Sequence, residues 1–166
     1  MATRHVISAS RPRAVCVVVV FLVAAALGCR RGTPLEGKNA AELEAMLAGD
    51  DPVVQVQGAV GLSRLGPEAR SAVPALCAAL NNKQTLVREH AALALAQIRP
   101  ESREAVQALT RALLDPEWTV RRQAALALGQ LGPQARAAIP ALDRLAGDPD
   151  HLVRKAAQAA LHKLGK

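Results

Sequence analysis

The chain has 166 residues, of which 51% are hydrophobic and 1% aromatic; tyrosine is absent, and there is one phenylalanine and one tryptophan. Alanine and leucine dominate the apolar content, which favours closely packed helices and excludes a β-sandwich, where aromatic and β-branched residues prevail. The net charge of +7 falls to +4 without Arg4, Arg11 and Arg13 at the amino terminus, so charge alone does not indicate a nucleic-acid binder.

Residues 1–28 have the pattern of a signal peptide. A basic start precedes an unbroken apolar run at residues 14–27, which is shorter than the roughly 20 residues that span a bilayer and typical of a signal-peptide core. Small residues before Cys29 resemble the bacterial lipobox, although Ala26 stands where that pattern prefers leucine. The resemblance implies cleavage before Cys29, a lipid on its thiol, and a polar tether at residues 29–35.

Two alternatives remain open for this segment, an ordinary secretory signal and an uncleaved anchor. Both would still deliver the rest of the chain across a membrane. We therefore expect an exported lipoprotein that is anchored to the cell-envelope membrane, in the periplasm or on the outer surface.

The remainder of the chain, residues 36–166, is a repeat with a constant period. Valine recurs every 33 residues, and no insertion interrupts the pattern around it, at Val54, Val87, Val120 and Val153. Leucine or isoleucine follows each valine at helical spacing, which gives one apolar stripe per repeat. The period divides the domain into four units, at residues 36–66, 67–99, 100–132 and 133–166.

Each unit is predicted to be a pair of helices. Gly66 and Gly132 follow the second helix of a pair, and the prolines after them open the next pair, as helix ends and starts prefer. The first helix of all is expected to begin after Asn39, with Glu42 placed for a capping box. A single pair cannot bury its own stripe, so the pairs must stack into an all-α solenoid.

These units resemble the HEAT family, in particular the HEAT-like repeats named after phycobilisome lyases. The resemblance rests on a proline inside the first helix at Pro74 and Pro140, on an Asp or Asn at the turn, and on an arginine after the repeated valine. It implies a structural ladder of hydrogen bonds between turn and helix, formed by Asn82, Arg88, Asp115, Arg121, Asp148 and Arg154. In the first repeat Gln55 replaces the arginine and Gly49 the turn residue, so its ladder should be weak or absent.

Catalysis is not expected. No serine or threonine has a histidine and an acid at useful spacing, and there is no glycine-rich phosphate loop. The three histidines of the repeats occupy different repeat positions, so we expect solvated surface histidines, with no metal site and no cofactor. Deoxyhypusine hydroxylase, a HEAT-like di-iron enzyme, carries repeated His-Glu pairs, whereas this chain has only the reversed Glu89-His90.

Cys77 is expected to point toward solvent. Counting in steps of 33 residues, it is equivalent to Glu44, Thr110 and Asp143, which are all polar. An exposed thiol without an intramolecular partner would be available for an intermolecular disulfide in an oxidising compartment, although a chance small residue is the simpler interpretation.

The binding hypothesis concerns the second helices, which line the concave face of HEAT arrays. Their expected exposed positions become more basic toward the carboxyl terminus and include the column Gln57, His90, Gln123 and Ala156. Trp118 lies at the start of one of these helices. Tryptophan is favoured in interfaces. The candidate partner-binding residues are therefore Trp118, Arg122, Lys155, Lys163, Glu89 and His90.

These residues predict a scaffold or adaptor that binds another protein or peptide, with acidic character. Three alternatives remain: an accessory subunit of an envelope enzyme complex, a nucleic-acid binder similar to the HEAT-like alkylpurine glycosylases, and a relative of the HEAT-like metal-dependent enzymes. Export, the modest charge and the scarcity of stacking aromatics argue against nucleic acid. The same residues could also form a solvated charged face that binds no partner.

Overall fold

The computed structural model describes residues 35–166, so the signal peptide, Cys29 and nearly all of the tether lie outside the described residues. The described part forms one compact unit in which every regular element is helical. The α-helices are α1 (Ala40–Ala48), α2 (Pro52–Leu65), α3 (Val73–Ala79), α4 (Thr85–Ile98), α5 (Arg103–Ala112), α6 (Trp118–Leu131), α7 (Ile139–Arg144) and α8 (His151–Lys163). This confirms the all-α solenoid.

Local signals set the helix boundaries. Asn39 and Glu42 form the predicted capping box, each side chain accepting a 2.9 Å bond from the other's backbone N–H. Gly66 and Gly132 end α2 and α6 with φ of 54° and 67°, a region that favours glycine. Arg99 ends α4 with φ of 50° although it carries a side chain.

The first helix of a pair divides where the sequence places its internal proline. In the second and fourth repeats, a 3-10 segment (Gly66–Ala72 or Gly132–Ala138) is followed by a short α-helix with Pro74 or Pro140 in its first turn. Proline fits a first helical turn because it has no N–H to donate. The third repeat has Gln107 instead, and α5 runs without a break.

The core lies between the helix pairs and continues from each repeat into the next. Its largest fully buried side chains are leucine, isoleucine and valine at the repeated positions, including Leu62, Leu95, Leu128, Val87 and Val120. Buried alanines such as Ala91, Ala92, Ala124 and Ala125 let each second helix pack directly against the next. A continuous core of this kind makes stability a sum over neighbouring repeats.

The expectation for Cys77 is wrong, because its side chain is buried with 5% exposure. Desolvation by the surrounding helices raises the pKa of the thiol to about 11, and Glu104 on α5 adds to the shift. A thiol whose pKa rises from 9.0 to about 11 has roughly a hundredfold less thiolate at neutral pH. Cys77 is therefore a small core residue and not a candidate for disulfide bonding between molecules.

Candidate protein-binding face

The ladder joins the second helix of one repeat to the turn of the next. Arg88 donates from Nε to Oδ2 of Asp115 at 2.7 Å and from a terminal nitrogen to Oδ1 at 2.9 Å. Its other terminal nitrogen donates to the carbonyls of Asn82 and Lys83 in its own repeat. The guanidinium thus uses both edges, and the Asp115 carboxylate is matched by a bidentate donor.

The same arrangement recurs one repeat later. Arg121 donates to Asp148 at 2.8 and 3.1 Å and to the carbonyls of Asp115 and Pro116 at 2.9 Å each. This hydrogen bonding, opposed by desolvation, lowers the pKa of the Asp148 carboxyl, and the backbone N–H of Asp150 assists. The Arg88 and Arg121 pKa values are raised by the same carboxylate bonds.

The first repeat carries a neutral version of the ladder. The Gln55 amide donates to the carbonyl of Gly49 at 2.6 Å and accepts from the Asn82 amide at 3.2 Å. A single bond between uncharged amides is weaker than a bidentate ion pair. The ladder is therefore weakened here but not absent.

The candidate partner-binding residues lie on the second helices α4, α6 and α8. Glu89 and Arg122 are half-buried, whereas Lys155 and Lys163 are exposed at the carboxyl-terminal end. Arg122, Lys155 and Lys163 therefore leave this end of the face basic, and we call these three residues the basic end.

Two expectations for this face need correction. His90 is half-buried and not a solvated surface histidine, and its Nδ1 is shielded from solvent without a hydrogen-bond partner among residues 35–166. Ala156, expected among the exposed positions of α8, is 4% exposed. The equivalent residues Gln57 and Gln123 are half-buried, because their longer side chains reach the surface from the same backbone position.

An apolar groove between α2 and α4 was missed by the sequence analysis. It has a volume of about 380 Å³, and its lining residues are Pro52, Val53, Val56, Gln57, Gln84, Thr85 and Leu86. Val53 and Leu86 are 65% and 60% exposed, which is unusual for large apolar side chains. The groove occupies the end of the binding face that is opposite to the basic end.

Trp118 extends the apolar surface into the third repeat. It is equivalent to Pro52 and Thr85 of the groove, begins α6 and is 38% exposed. The signal that could have located the groove is the position one residue before the repeated valine. It holds Val53, Leu86, Thr119 and Leu152, a largely apolar series.

Within residues 35–166, no group of three or more His, Cys, Asp or Glu side chains is placed to hold a metal ion. Among the same residues, no helix combines the length and apolar character needed to cross a membrane.

Comparison with known families settles the relationship. The family model for HEAT repeats matches residues 40–117 and 99–162, which together cover most of the chain. The chain belongs to the HEAT-repeat family. No curated protein matches it.

Solved structures similar to this HEAT-repeat chain include both enzymes and binding proteins. Human deoxyhypusine hydroxylase, solved with glycerol, shares 27% identity at a TM-score of 0.63, covering 78% of this chain and 44% of its own. The CpcE–CpcF complex of phycocyanin lyase from Nostoc sp. PCC7120 shares 22% identity at 0.57, covering 77% and 65%. A designed armadillo repeat protein in complex with the peptide (KR)4 shares 21% identity at 0.62, covering 74% and 62%.

These likenesses define the fold of the HEAT-repeat chain. It spans 44% of the hydroxylase and 65% of the matched lyase chain, so it is shorter than either. Repeat solenoids of this kind are typical of protein-interaction scaffolds, although some similar proteins are enzymes.

Proposed function

We propose that this protein is a non-enzymatic interaction scaffold, tethered to a bacterial cell envelope, that binds an acidic segment of another protein on its second helices. The observation that carries the proposal is one face with two chemical halves. An apolar groove with exposed Val53 and Leu86 lies at one end, and the basic end lies at the other, with Trp118 between them.

The apolar and basic parts of this face indicate which kind of partner segment would bind to it. An apolar side chain of the partner would fill the groove between α2 and α4 and remove Val53 and Leu86 from water. Carboxylates further along the same segment would meet Arg122, Lys155 and Lys163. Glu89, an acidic residue, occupies the same repeat position as Arg122 and Lys155 in the second repeat. The designed armadillo protein holds the basic peptide (KR)4, and a basic face here selects the opposite charge.

The tether and the location rest on the sequence of residues 1–35, of which all but Leu35 lie outside the described part of the chain. Cys29 would carry the lipid, and the protein would face the periplasm or the outer surface. An exported scaffold with a single lipidated end keeps its repeats free to bind along their length.

We expect the double substitution Trp118→Ala with Arg122→Glu to abolish binding of a short fluorescent peptide whose first half is leucine-rich and second half glutamate-rich. The substitutions remove the central aromatic contact and reverse one charge of the basic end, so the peptide loses affinity by about a hundredfold or more. Fluorescence anisotropy with the full-length protein in detergent measures the change.

The matched control is Arg136→Glu, which reverses an exposed charge on the 3-10 segment Gly132–Ala138, away from the second helices. Circular dichroism should show unchanged helicity for both variants. Equal binding by the wild type and the double variant would reject the face as the peptide site. A peptide with lysine in place of glutamate should bind poorly, and tight binding of it would reject the acidic partner.

The tether is tested by intact mass of the protein extracted from the membranes of its native host. We expect a mass that corresponds to cleavage before Cys29 and to a diacylglyceryl or triacyl addition. A Cys29→Ser variant should lack the addition and leave the membrane fraction. An uncleaved or unmodified wild-type product would contradict the lipoprotein assignment while leaving the binding proposal open to its own test.

A further inference from the structure

Arg154 adopts the ladder pose of the two preceding repeats. One of its terminal nitrogens donates to the carbonyl of Asp148 at 2.7 Å and to that of Pro149 at 2.9 Å. Arg121 makes the equivalent bonds to Asp115 and Pro116. The turn of the fourth repeat therefore holds the Arg154 guanidinium in a fixed orientation.

The other edge of this guanidinium is not used by the described residues. In Arg88 and Arg121 that edge donates two bonds to a carboxylate 27 residues further along the chain. Within residues 35–166, no carboxylate forms such a pair with Arg154, whose side chain remains partly accessible. The edge is nevertheless aligned for a bidentate carboxylate by the contacts on the opposite side.

The carboxylates nearest to Arg154 in the sequence have other partners. Asp148 accepts both bonds from Arg121, and Asp150 accepts the N–H groups of Leu152 and Val153 at the start of α8. Lys155 follows Arg154 directly and is exposed. The open edge of Arg154, next to the exposed Lys155, therefore favours an anionic group as its partner.

The surface around Arg154 determines what can carry that group. α6 packs tightly on α8, since a Cβ added at Gly129 would lie 2.8 Å from the Ala160 Cα. At the equivalent position α8 has His162, and in place of buried Ala125 it has Gln158, both exposed. These larger polar side chains prevent a further helix from packing as closely, whereas a flexible segment can still present a carboxylate.

We propose that Arg154 is a carboxylate-binding site, which receives an Asp or Glu side chain from the acidic segment of the partner. The inference rests on the proposed function and adds to it a residue with a defined geometry. Arg154 completes with the partner the same bidentate pair that Arg88 and Arg121 complete within the chain.

The test compares Arg154→Lys and Arg154→Gln with the charge-matched control Arg144→Gln, using the leucine- and glutamate-containing peptide and full-length protein. Lysine keeps the charge but lacks the planar fork, so both Arg154 variants should lose affinity by about tenfold, while the control loses less than about twofold. Equal affinity of the wild type and Arg154→Lys would overturn the bidentate site.

Because Arg154 also bonds to its own turn, its substitution could weaken binding by disturbing the fold. A second measurement on the wild type separates these two effects. In ¹⁵N-labelled wild-type protein, the Arg154 Nε–H resonance should shift when peptide is added, while the Arg88 and Arg121 resonances stay in place. An unmoved Arg154 resonance with bound peptide overturns this inference and spares the proposed function. If the wild type does not bind the peptide at all, both fail.

Discussion

Arg121→Gln is expected to lower the free energy of unfolding by about 3 kcal/mol at neutral pH, measured by urea denaturation. The substitution leaves the Asp148 carboxylate, whose side chain is 6% exposed, with only the backbone N–H of Asp150 as a donor. It also frees the carbonyls of Asp115 and Pro116 from their bonds with the guanidinium. An uncompensated buried charge costs more than a missing surface contact.

The loss should shrink in acid. In the folded state Arg121 lowers the pKa of Asp148 below its ordinary value of 3.8. The pair therefore contributes its full stability above about pH 4, and this contribution is lost as the pH falls through the lowered pKa. Arg122→Gln is the matched control, because Arg122 makes no ion pair within residues 35–166. An equal effect of the two substitutions at neutral pH would show that the ladder does not stabilise this fold.

Gly58→Ala is expected to destabilise the protein by about 2 kcal/mol, although alanine is the better helix former by about 1 kcal/mol. A Cβ at this position would lie 2.7 Å from both the Leu43 carbonyl oxygen and the Leu47 nitrogen. Both atoms belong to the backbone of α1, so the helices must move apart. Thermal unfolding followed by circular dichroism measures the change.

Gly147→Ala provides the comparison within the same chain. Its added Cβ meets nothing within 4 Å and its φ is not positive, so stability should be unchanged or slightly higher because the unfolded chain loses freedom. If Gly58→Ala were as stable as the wild type, the close approach of α1 and α2 would not be a feature of the folded protein.

Two positions misjudged from the sequence share one physical cause. Both Cys77 and Ala156 occupy repeat positions that hold polar residues in the other repeats, and both are expected at the surface from the sequence. Those polar residues, such as Thr110 and Gln123, are themselves half-buried. At a position on the boundary between two helices, a long polar side chain reaches water, whereas a short thiol or methyl group stays between the helices.

The apolar groove was missed for a different reason. Val53 and Leu86 are adjacent to the valines of the core stripe, and a single repeat gives no indication that they lie on the surface. Their exposure follows from how α2 and α4 pack side by side, and this packing also creates the space between them.

The repeat, the all-α class, the capping box of α1 and the ladder pairs Arg88–Asp115 and Arg121–Asp148 could be predicted from the sequence. These depend on local spacing, on capping and on a strict 33-residue period that places equivalent residues in equivalent contacts. The three-dimensional structure was needed to show which boundary side chains are buried, where the groove opens, and that no residue of 35–166 uses the second edge of the Arg154 guanidinium. Each of these depends on the distance between neighbouring helices, which is set by packing across repeats and not by the residues of any one of them.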